Sequence, residues 1–499
     1  MCNPSKLFIK IDFGYSHYLM GSHCVFIWTF LPVICYNPFV MELPVEFIKR
    51  MKNILGDDYT AFEASFSETA QKGIHLNPGR CSEERLLSCI GSELTPIPHV
   101  KYGYYYSASN QDRKLGMHPL HHGGAVYSQD PSAMLPVSGI EISPDWRVLD
   151  LCASPGGKSS QIASRLSAGD GFLVSNEISP ARNKILISNI ERMGYTNVIV
   201  TKLSPDEIAA CYPGYFHMVL VDAPCSGEGM FRKYPDSISE WSPENVIHCQ
   251  DRQKEILNAA LRTLLPGGYL VYSTCTYSVE ENEDIVRWLM KEHHLEPVTI
   301  PEKIQSVTAA SLDDNLSCCR RAYPHITRGE GQFMAYLKKS GELQETQNVE
   351  TSKSMSGLRK ISDKNMALIH AALKEHFDLS GLCFYEHQNK IIAIPAKTVF
   401  RLPNHGITLC GITAGMIEHN RFMPHHHFFH SCGNICNNTL FLDGDDQRIL
   451  QYLAGQEIYD DRIQKGYGVV YYEGCPIGGF KASGGRLKNH YPKALRNLS

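Results

Sequence analysis

Between Arg147 and Lys291, short apolar runs alternate with segments whose apolar residues recur at helical spacing. Arg147-Val-Leu-Asp-Leu-Cys152 predicts a buried strand, which runs into the turn Ala153-Ser-Pro-Gly-Gly157 and a helix to about Ser167. Phe172–Glu177 predicts a second strand and Pro180–Met193 a second helix. Strands follow at Asn197–Thr201 and His217–Asp222. A long helix, with Ser242 as N-cap and Pro243 at its first position, should end near Leu265-Pro-Gly-Gly268. Strand Tyr269–Thr274 and an acid-started helix Glu280–Lys291 complete the series. The alternation implies an α/β fold: a mainly parallel sheet with crossover helices.

The flanks are patterned differently. From Met41 to about Ile140 the pattern is mixed, with a helix near 44–54, a turn at Asn77-Pro78-Gly79 and an aromatic run at Tyr102–Tyr106. Residues 340–362 are polar and aperiodic, which predicts a linker. Residues 363–499 predict a smaller mixed domain of short strands and turns. The stretch 15–41 lacks Asp, Glu, Lys and Arg and holds the apolar run Cys24–Ile34. Pro32 and the shortness of that run argue against a spanning helix and leave a signal-type segment as the competing reading. Because Met41-Glu-Leu-Pro-Val-Glu-Phe opens an amphipathic helix, residues 1–40 are expected to be a non-native or disordered extension. The expected parts are thus 1–40, 41–140, 141–339, the linker 340–362, and 363–499.

Composition adds bounds. With 499 residues the chain has room for about three domains. Apolar residues at 43% and charged residues at 20% exclude a mostly disordered chain. A net charge of −4 disfavours a generic nucleic-acid-coating polycation but allows local basic patches. Seventeen scattered cysteines, an odd number, point to free thiols in a reducing, cytoplasmic compartment.

Three strand tips carry the candidate chemistry. At Asp150-Leu-Cys-Ala-Ser-Pro-Gly-Gly-Lys158, two glycines allow close backbone approach to a ligand at a helix N-terminus. A phosphate-cradling loop would need glycine where Cys152 stands, and the dinucleotide pattern is absent as well. Glu177, at the end of the next strand, is placed to accept from a ribose diol. Together these suit a nucleoside-containing cofactor without a long phosphate tail. Asp222-Ala-Pro-Cys-Ser-Gly227 and Ser273-Thr-Cys-Thr-Tyr277 end two further strands, and so present Cys225 and Cys275 at one sheet edge. Buried cysteines are commonly inert, but two that both stand on C-terminal strand tips are not placed for packing. The run His425-His-His-Phe-Phe-His430 with Cys432 and Cys436 raises a zinc reading. The spacing of His427, His430, Cys432 and Cys436 does not follow the usual paired patterns, so no metal site is expected.

The combination Asp-Leu-Cys-Ala-Ser-Pro-Gly-Gly-Lys, Asp-Ala-Pro-Cys-Ser-Gly and Ser-Thr-Cys-Thr-Tyr resembles the Nol/Nop/Sun family of S-adenosylmethionine-dependent RNA cytosine-C5 methyltransferases. Gly229-Met-Phe-Arg-Lys233, Glu240-Trp-Ser-Pro-Glu244, Arg321–Phe333 and Leu487–Lys493 are similar to its bacterial 16S ribosomal RNA branch, the RsmF type. The resemblance covers residues 41–499. It implies a Rossmann-like catalytic core, an N-terminal α+β RNA-binding region and a C-terminal, PUA-like RNA-binding domain. It also implies Cys275 as the nucleophile, Cys225 as the thiol that assists product release, and Asp222 at the base edge near N3. For the cofactor it implies Cys152, Ala153, Ser154, Pro155, Gly156, Gly157, Lys158, Glu177, Arg182 and Asp222. Relatives commonly carry an acid after the third strand to meet the adenine amine, and Ser204 falls at that position here.

Tyr102–Tyr106, Phe231-Arg-Lys233, Arg320-Arg321 and Arg328 are candidate RNA contacts. So are Lys481, Arg486, Lys488, Lys493 and Arg496, which stand in a final stretch of twenty residues free of acids. The expected partner is ribosomal RNA, free or in a small-subunit particle, bound by a monomer with no membrane involvement. Transfer RNA as substrate, and a non-catalytic ribosome-assembly factor, are the alternatives. Retention of both thiols argues against the second.

Overall fold

In the computed structural model, which describes residues 42–107, 115–343, 358–398 and 400–496, the central sheet is built from β1 (Arg147–Asp150), β2 (Phe172–Asn176), β3 (Val198–Thr201), β4 (Phe216–Asp222) and β5 (Leu264–Thr274). Four more strands lie in the same sheet: β6 (Ala309–Ala310), β7 (Cys319–Ala322), β8 (Gln332–Lys338) and β9 (Ile407–Cys410). Their order is β6-β7-β8-β5-β4-β1-β2-β3-β9, and the short strand Glu296–Pro297 pairs with β8. The pairs β3–β2, β2–β1, β1–β4 and β4–β5 are parallel; β8 and β9 flank them antiparallel. Both faces are buried. Leu149, Val174, Ile199 and Val219 point into one apolar layer; Val148, Leu173, Val198 and Leu220 point into the other. That arrangement is the Rossmann-like α/β core. Expectations for residues 1–40 and for 344–357 of the linker lie outside the described residues.

The crossover helices are α1 (Gly157–Leu166), α2 (Pro180–Met193), α3 (Pro205–Cys211), α4 (Pro243–Thr263) and α5 (Glu283–His293). Local chemistry sets their ends. Ser179 and Ser242 accept from backbone N–H groups of the first turns of α2 and α4, each with proline at the first position. Gly194, at φ +69°, ends α2. Three features depart from the sequence expectation. α3 has no counterpart in it; Ser204-Pro-Asp-Glu207 starts this helix with a complete capping box. β5 begins at Leu264, because Gly267 at φ +71° lets Pro266-Gly-Gly268 run as a strand irregularity instead of a terminating turn. α5 starts at Glu283, because the preceding Glu281 and Asn282 side chains are engaged with the strand tips.

The flanks share cores with each other and with the catalytic half. Helices Val45–Leu55 and Tyr59–Ser65 bury Phe47 and Phe62 against Phe231, Trp241, Tyr277 and Tyr323. A four-stranded antiparallel sheet (72–76, 94–96, 103–106, 126–128) packs Ile74, Tyr104 and Tyr106 against Leu440, Ile477 and Phe480 of a C-terminal five-stranded sheet. Another five-stranded sheet, between Arg359 and Pro424, lies beside it in sequence. After three of its strands the chain leaves for β9 and returns to that sheet directly. Gly411, at φ +58°, makes the switch where a Cβ would stand 2.8 Å from the Ala393 carbonyl. Among the described residues no helix is long and apolar enough to cross a membrane.

Candidate active site

Strand order reverses between β1 and β4, so the loops following them face each other across the crevice in which open parallel sheets bind ligands. The structure places all the candidate residues along this edge: 152–158 after β1, Glu177 and Arg182 after β2, Ser204 after β3, Asp222 at the end of β4 with Cys225 after it, and Cys275 after β5.

The half formed by β1, β2 and β3 is held mainly by side chains that reach backbone carbonyls and amides. Ala153 N–H donates to the Asn176 carbonyl at 2.9 Å. Ser154 Oγ donates to the Arg182 carbonyl at 3.0 Å, and Arg182 donates back to the Ser154 carbonyl at 2.9 Å. Tyr127 and Asn189 donate to the Pro155 carbonyl. Gly156 sits at φ +112°, and α1 opens after it with no side-chain cap, leaving first-turn amides without helical partners. Buried Asn176 ties three strand tips together: it donates to the Leu151 and Leu203 carbonyls and accepts from Thr201 Oγ1. Glu177 is buried, and its Oε1 accepts from Ser179 N–H at 2.9 Å while Arg182 stands 3.5 Å from Oε2. Beneath the loop, Asp150 accepts from Ser159 Oγ at 2.7 Å through one oxygen, while its other oxygen is buried without a hydrogen-bond partner. Burial pushes the Asp150 carboxyl up to about 7.

Burial also pushes the Cys152 thiol up, away from thiolate character. A buried strand-tip carboxylate, helix-start amides without helical partners and an unpaired acid oxygen fit a nucleoside cofactor with a short charged tail. Ser204 fits less well. Its N–H and hydroxyl are bound to Glu207, and its carbonyl accepts from Ile208 N–H, so its polar groups are spent on starting α3.

The half formed by β4 and β5 is held by side chains that bind one another. Cys225 Sγ and Cys275 Sγ lie 3.2 Å apart, both half-buried. The hydrogen bond to Cys275, together with burial, holds the Cys225 thiol well above its ordinary range, so it stays protonated. Asp222 accepts from Lys158 Nζ at 2.8 Å, Ser273 Oγ at 2.6 Å and Gln332 Nε2 at 3.4 Å. Lys158 therefore reaches from the cofactor loop across the reversal to the thiol half. The Cys275 carbonyl accepts from Gly229 N–H, whose own carbonyl accepts from Gly331 N–H. A Cβ on Gly229 would stand 2.7 Å from Gly331 Cα, so this close approach requires glycine.

Sequence reasoning missed the supports: Asn176, Ser226, Thr276, Glu228, Glu281 and Gln332. Ser226 and Thr276 each directly follow a candidate thiol, which was the available signal. The carboxylates and amides gave none, because their partners are distant in sequence.

Several predicted RNA contacts are structural. Tyr104, Tyr105, Tyr106 and Phe231 are buried. Arg232 pairs with Glu330 and Arg321 with Glu283, both away from solvent. Arg320 is spent on Thr308 and the Gln305 carbonyl. Lys233, Tyr234 and Arg328 are exposed, with the Arg328 guanidinium 4.3 Å from the centre of the Tyr105 ring and donating to Gln71 Oε1 at 3.2 Å. Lys481 and Lys488 face each other across a hairpin, with Arg486 on the same exposed face. In the histidine segment, His430 is bound to the Ile477 and Arg192 carbonyls and Cys436 donates to the Asn438 carbonyl.

Comparison with known proteins places this geometry. The family model of 16S rRNA methyltransferase RsmB/F matches residues 139–338. The N-terminal domain of 16S rRNA methyltransferase RsmF matches 43–131, and the methyltransferase RsmF PUA domain matches 439–497. Ribosomal RNA small subunit methyltransferase F of Vibrio vulnificus is 30% identical, over 91% of this chain and 97% of that protein. Its Escherichia coli counterpart is 29% identical, over 91% and 96%. A methyltransferase homolog from Pyrococcus horikoshii superposes with a TM-score of 0.52 at 25% identity, over 59% of this chain and 94% of that one. NSun6 from the same organism, solved with SFG, shares the fold at a TM-score of 0.53 and 20% identity, over 61% of this chain and 100% of that one.

Proposed function

This chain belongs to the RsmB/F family of 16S rRNA methyltransferases, and from that premise we propose that it methylates C5 of a cytosine in small-subunit ribosomal RNA through a covalent bond to Cys275. The observation that carries this reading is the pair of thiols 3.2 Å apart on neighbouring strand tips, beside a loop suited to a nucleoside cofactor. S-adenosylmethionine, the family's methyl donor, supplies an electrophilic methyl group when bound by the 152–158 loop, Glu177 and Arg182.

Cytosine C5 is too electron-poor to take that methyl unaided. Addition of the Cys275 thiolate to C6 makes C5 enamine-like, converting one hard step into easier ones. Once C5 has gained the methyl, water takes the C5 proton, the C5–H electron pair restores the C5=C6 double bond, and the C6–S bond breaks to return Cys275 as a thiolate. Cys225, protonated and hydrogen-bonded to Cys275 Sγ, assists that elimination. The Lys158–Asp222 pair, fixed by Ser273 and Gln332, orients the base edge near N3.

The base must leave its stack or come from a single strand to reach the thiols. Lys233, Tyr234 and Arg328 line its approach, and the Lys481–Lys488 hairpin supplies a basic surface in the C-terminal domain. On this reading residues 41–140 and 363–499 flank the catalytic domain as RNA-binding regions, and the protein acts as a cytoplasmic monomer.

Incubation with C5-tritiated cytidine RNA and S-adenosylmethionine is expected to release tritium as methyl is transferred. Cys275→Ala should release none; full release from that variant would overturn the assignment of the nucleophile. Cys225→Ala should accumulate an RNA adduct that survives denaturant, and absence of the adduct on a substrate that wild type methylates would overturn the release role.

A further inference from the structure

Directly behind the two thiols lies a buried chain of polar groups. Ser226, next to Cys225, and Thr276, next to Cys275, have their hydroxyls 2.8 Å apart. Ser226 Oγ is also in short hydrogen-bond contact with Glu281 Oε1, and Thr276 Oγ1 lies 2.9 Å from Glu228 Oε2. All four residues are buried.

The protons can be counted. Glu228 accepts from Trp241 Nε1, Ser278 Oγ and Tyr277 N–H besides Thr276, the environment of an ionised carboxylate. The Thr276 proton is therefore spent on Glu228. The Ser226–Thr276 contact then needs the Ser226 proton. With both hydroxyl protons used, the Ser226–Glu281 contact can be a hydrogen bond only if Glu281 supplies the proton. Glu281 Oε2 meanwhile accepts from Ser226 N–H at 3.0 Å and Gln253 Nε2 at 2.8 Å, leaving Oε1 as the protonated oxygen.

We propose that Glu281, as a neutral carboxylic acid, and the hydroxyls of Ser226 and Thr276 are positioning residues: they form a one-directional hydrogen-bond chain to Glu228 that locks the Cys225 loop to the Cys275 loop. They touch no substrate. They act by holding the release thiol against the nucleophile, so the role in turnover rests on the reading above.

Burial independently pushes the Glu281 carboxyl up to about 7, in agreement with the proton count. The ionisable groups around it are Cys225 and Glu228 from the loop after β4, Cys249 from α4, and Tyr272 from β5, whose hydroxyl donates to the Glu281 carbonyl. None of them supplies a cation to hold it ionised.

The test needs neither RNA nor cofactor: the rate at which diamide converts the Cys225 and Cys275 thiols to a disulfide in the full-length protein, read by mass spectrometry of the peptides. Thr276→Val and Glu281→Ala should slow this coupling by about tenfold or more, an ångström-level misplacement costing up to about a hundredfold. Glu281→Gln keeps a donor toward Ser226 and an acceptor toward its N–H, so it should restore the coupling that Glu281→Ala loses. The ratio of the wild-type rate to the Glu281→Gln rate should fall as pH rises from 6 to 8.5, because only wild type can lose the chain's first proton. Coupling in Thr276→Val at the wild-type rate would overturn the chain, and a ratio constant with pH would overturn the neutral acid. The second readout uses an isosteric variant, so it decides the matter even if Thr276→Val fails to fold. If wild type releases no tritium from cytosine-labelled RNA, the cytosine reading falls while the coupling series still reports on the chain.

Discussion

The two halves of the sheet edge solve one problem with different materials. Around β1, β2 and β3, positions are set by side chains bound to carbonyls and amide groups and by a glycine at φ +112°. Around β4 and β5, they are set by hydroxyls and buried carboxylates, whose partners are tens of residues away in sequence. On the proposed reading the first half holds the methyl donor and needs a shape, while the second presents one sulfur to another during bond making and breaking and needs defined protons. A site anchored on backbone should be breached mainly where glycine is replaced; one of side chains bound to one another should fail at single atoms.

The largest expected effect is on the side-chain half. Cys275→Ala should lower methyl transfer at least about a thousandfold, while leaving S-adenosylmethionine affinity by calorimetry near wild type. Equal loss of both would mean that the halves are not separable. Next comes Gly156→Ala. A Cβ at that φ is strained by about 1–3 kcal/mol, and it would stand 3.1 Å from Leu186 Cδ1. Cofactor affinity should fall about tenfold or more, with diamide coupling of the two thiols little changed. Coupling that fell in step with affinity would contradict the division.

A smaller effect concerns pH. Asp150 and Glu281 each keep a proton up to about 7 in the folded protein, against ordinary values of 3.8 and 4.5. The folded state then binds more protons than the unfolded chain between about pH 4 and 7, so stability from these groups falls across that window and levels off above it. Asp150→Asn or Glu281→Gln should each flatten the decline of Tm between pH 5 and 8. A decline identical to wild type in both variants would show the acids to be ionised in the fold.

How much of this was legible in the sequence follows the same division. Helix Pro180–Met193 and the strands carrying Cys225 and Cys275 have strong local signals: a serine cap, proline at the first turn, continuous apolar runs. The α3 signal was present too, since Ser204-Pro-Asp-Glu207 is a capping box, but Ser204 also stands where an adenine contact is expected, and its sequence alone does not separate the two roles. β9 was not legible: Ile407–Cys410 joins the core sheet beside Val198–Thr201, and no local pattern encodes a pairing across some two hundred positions. Buried charge was misread for the same reason. Arg232 and Arg321 look like RNA contacts until Glu330 and Glu283 are seen against them. The tyrosine run misled because alternation cannot separate a stacking platform from a strand covered on both faces, as residues 103–106 are.

That last distinction yields the mildest prediction, made outside the sheet edge. Lys481 and Lys488 are exposed and side by side on one hairpin, whereas Tyr104 and Tyr106 are sealed between the N-terminal and C-terminal sheets. Charge reversal, Lys481→Glu with Lys488→Glu, should weaken RNA binding several-fold at low salt. It should also lower the slope of log affinity against log salt by about two, one for each phosphate no longer neutralised. Tm should stay near wild type. Tyr104→Ala should do the reverse: it removes a buried aromatic ring at a cost of about 3–5 kcal/mol and lowers Tm, with the salt slope unchanged. Filter binding across a salt series and a thermal melt on both variants separate an RNA-facing surface from a packing surface. An unchanged salt slope in the lysine variant would remove the hairpin from the RNA path and leave the exposed Lys233 and Arg328 as the principal basic groups for the RNA.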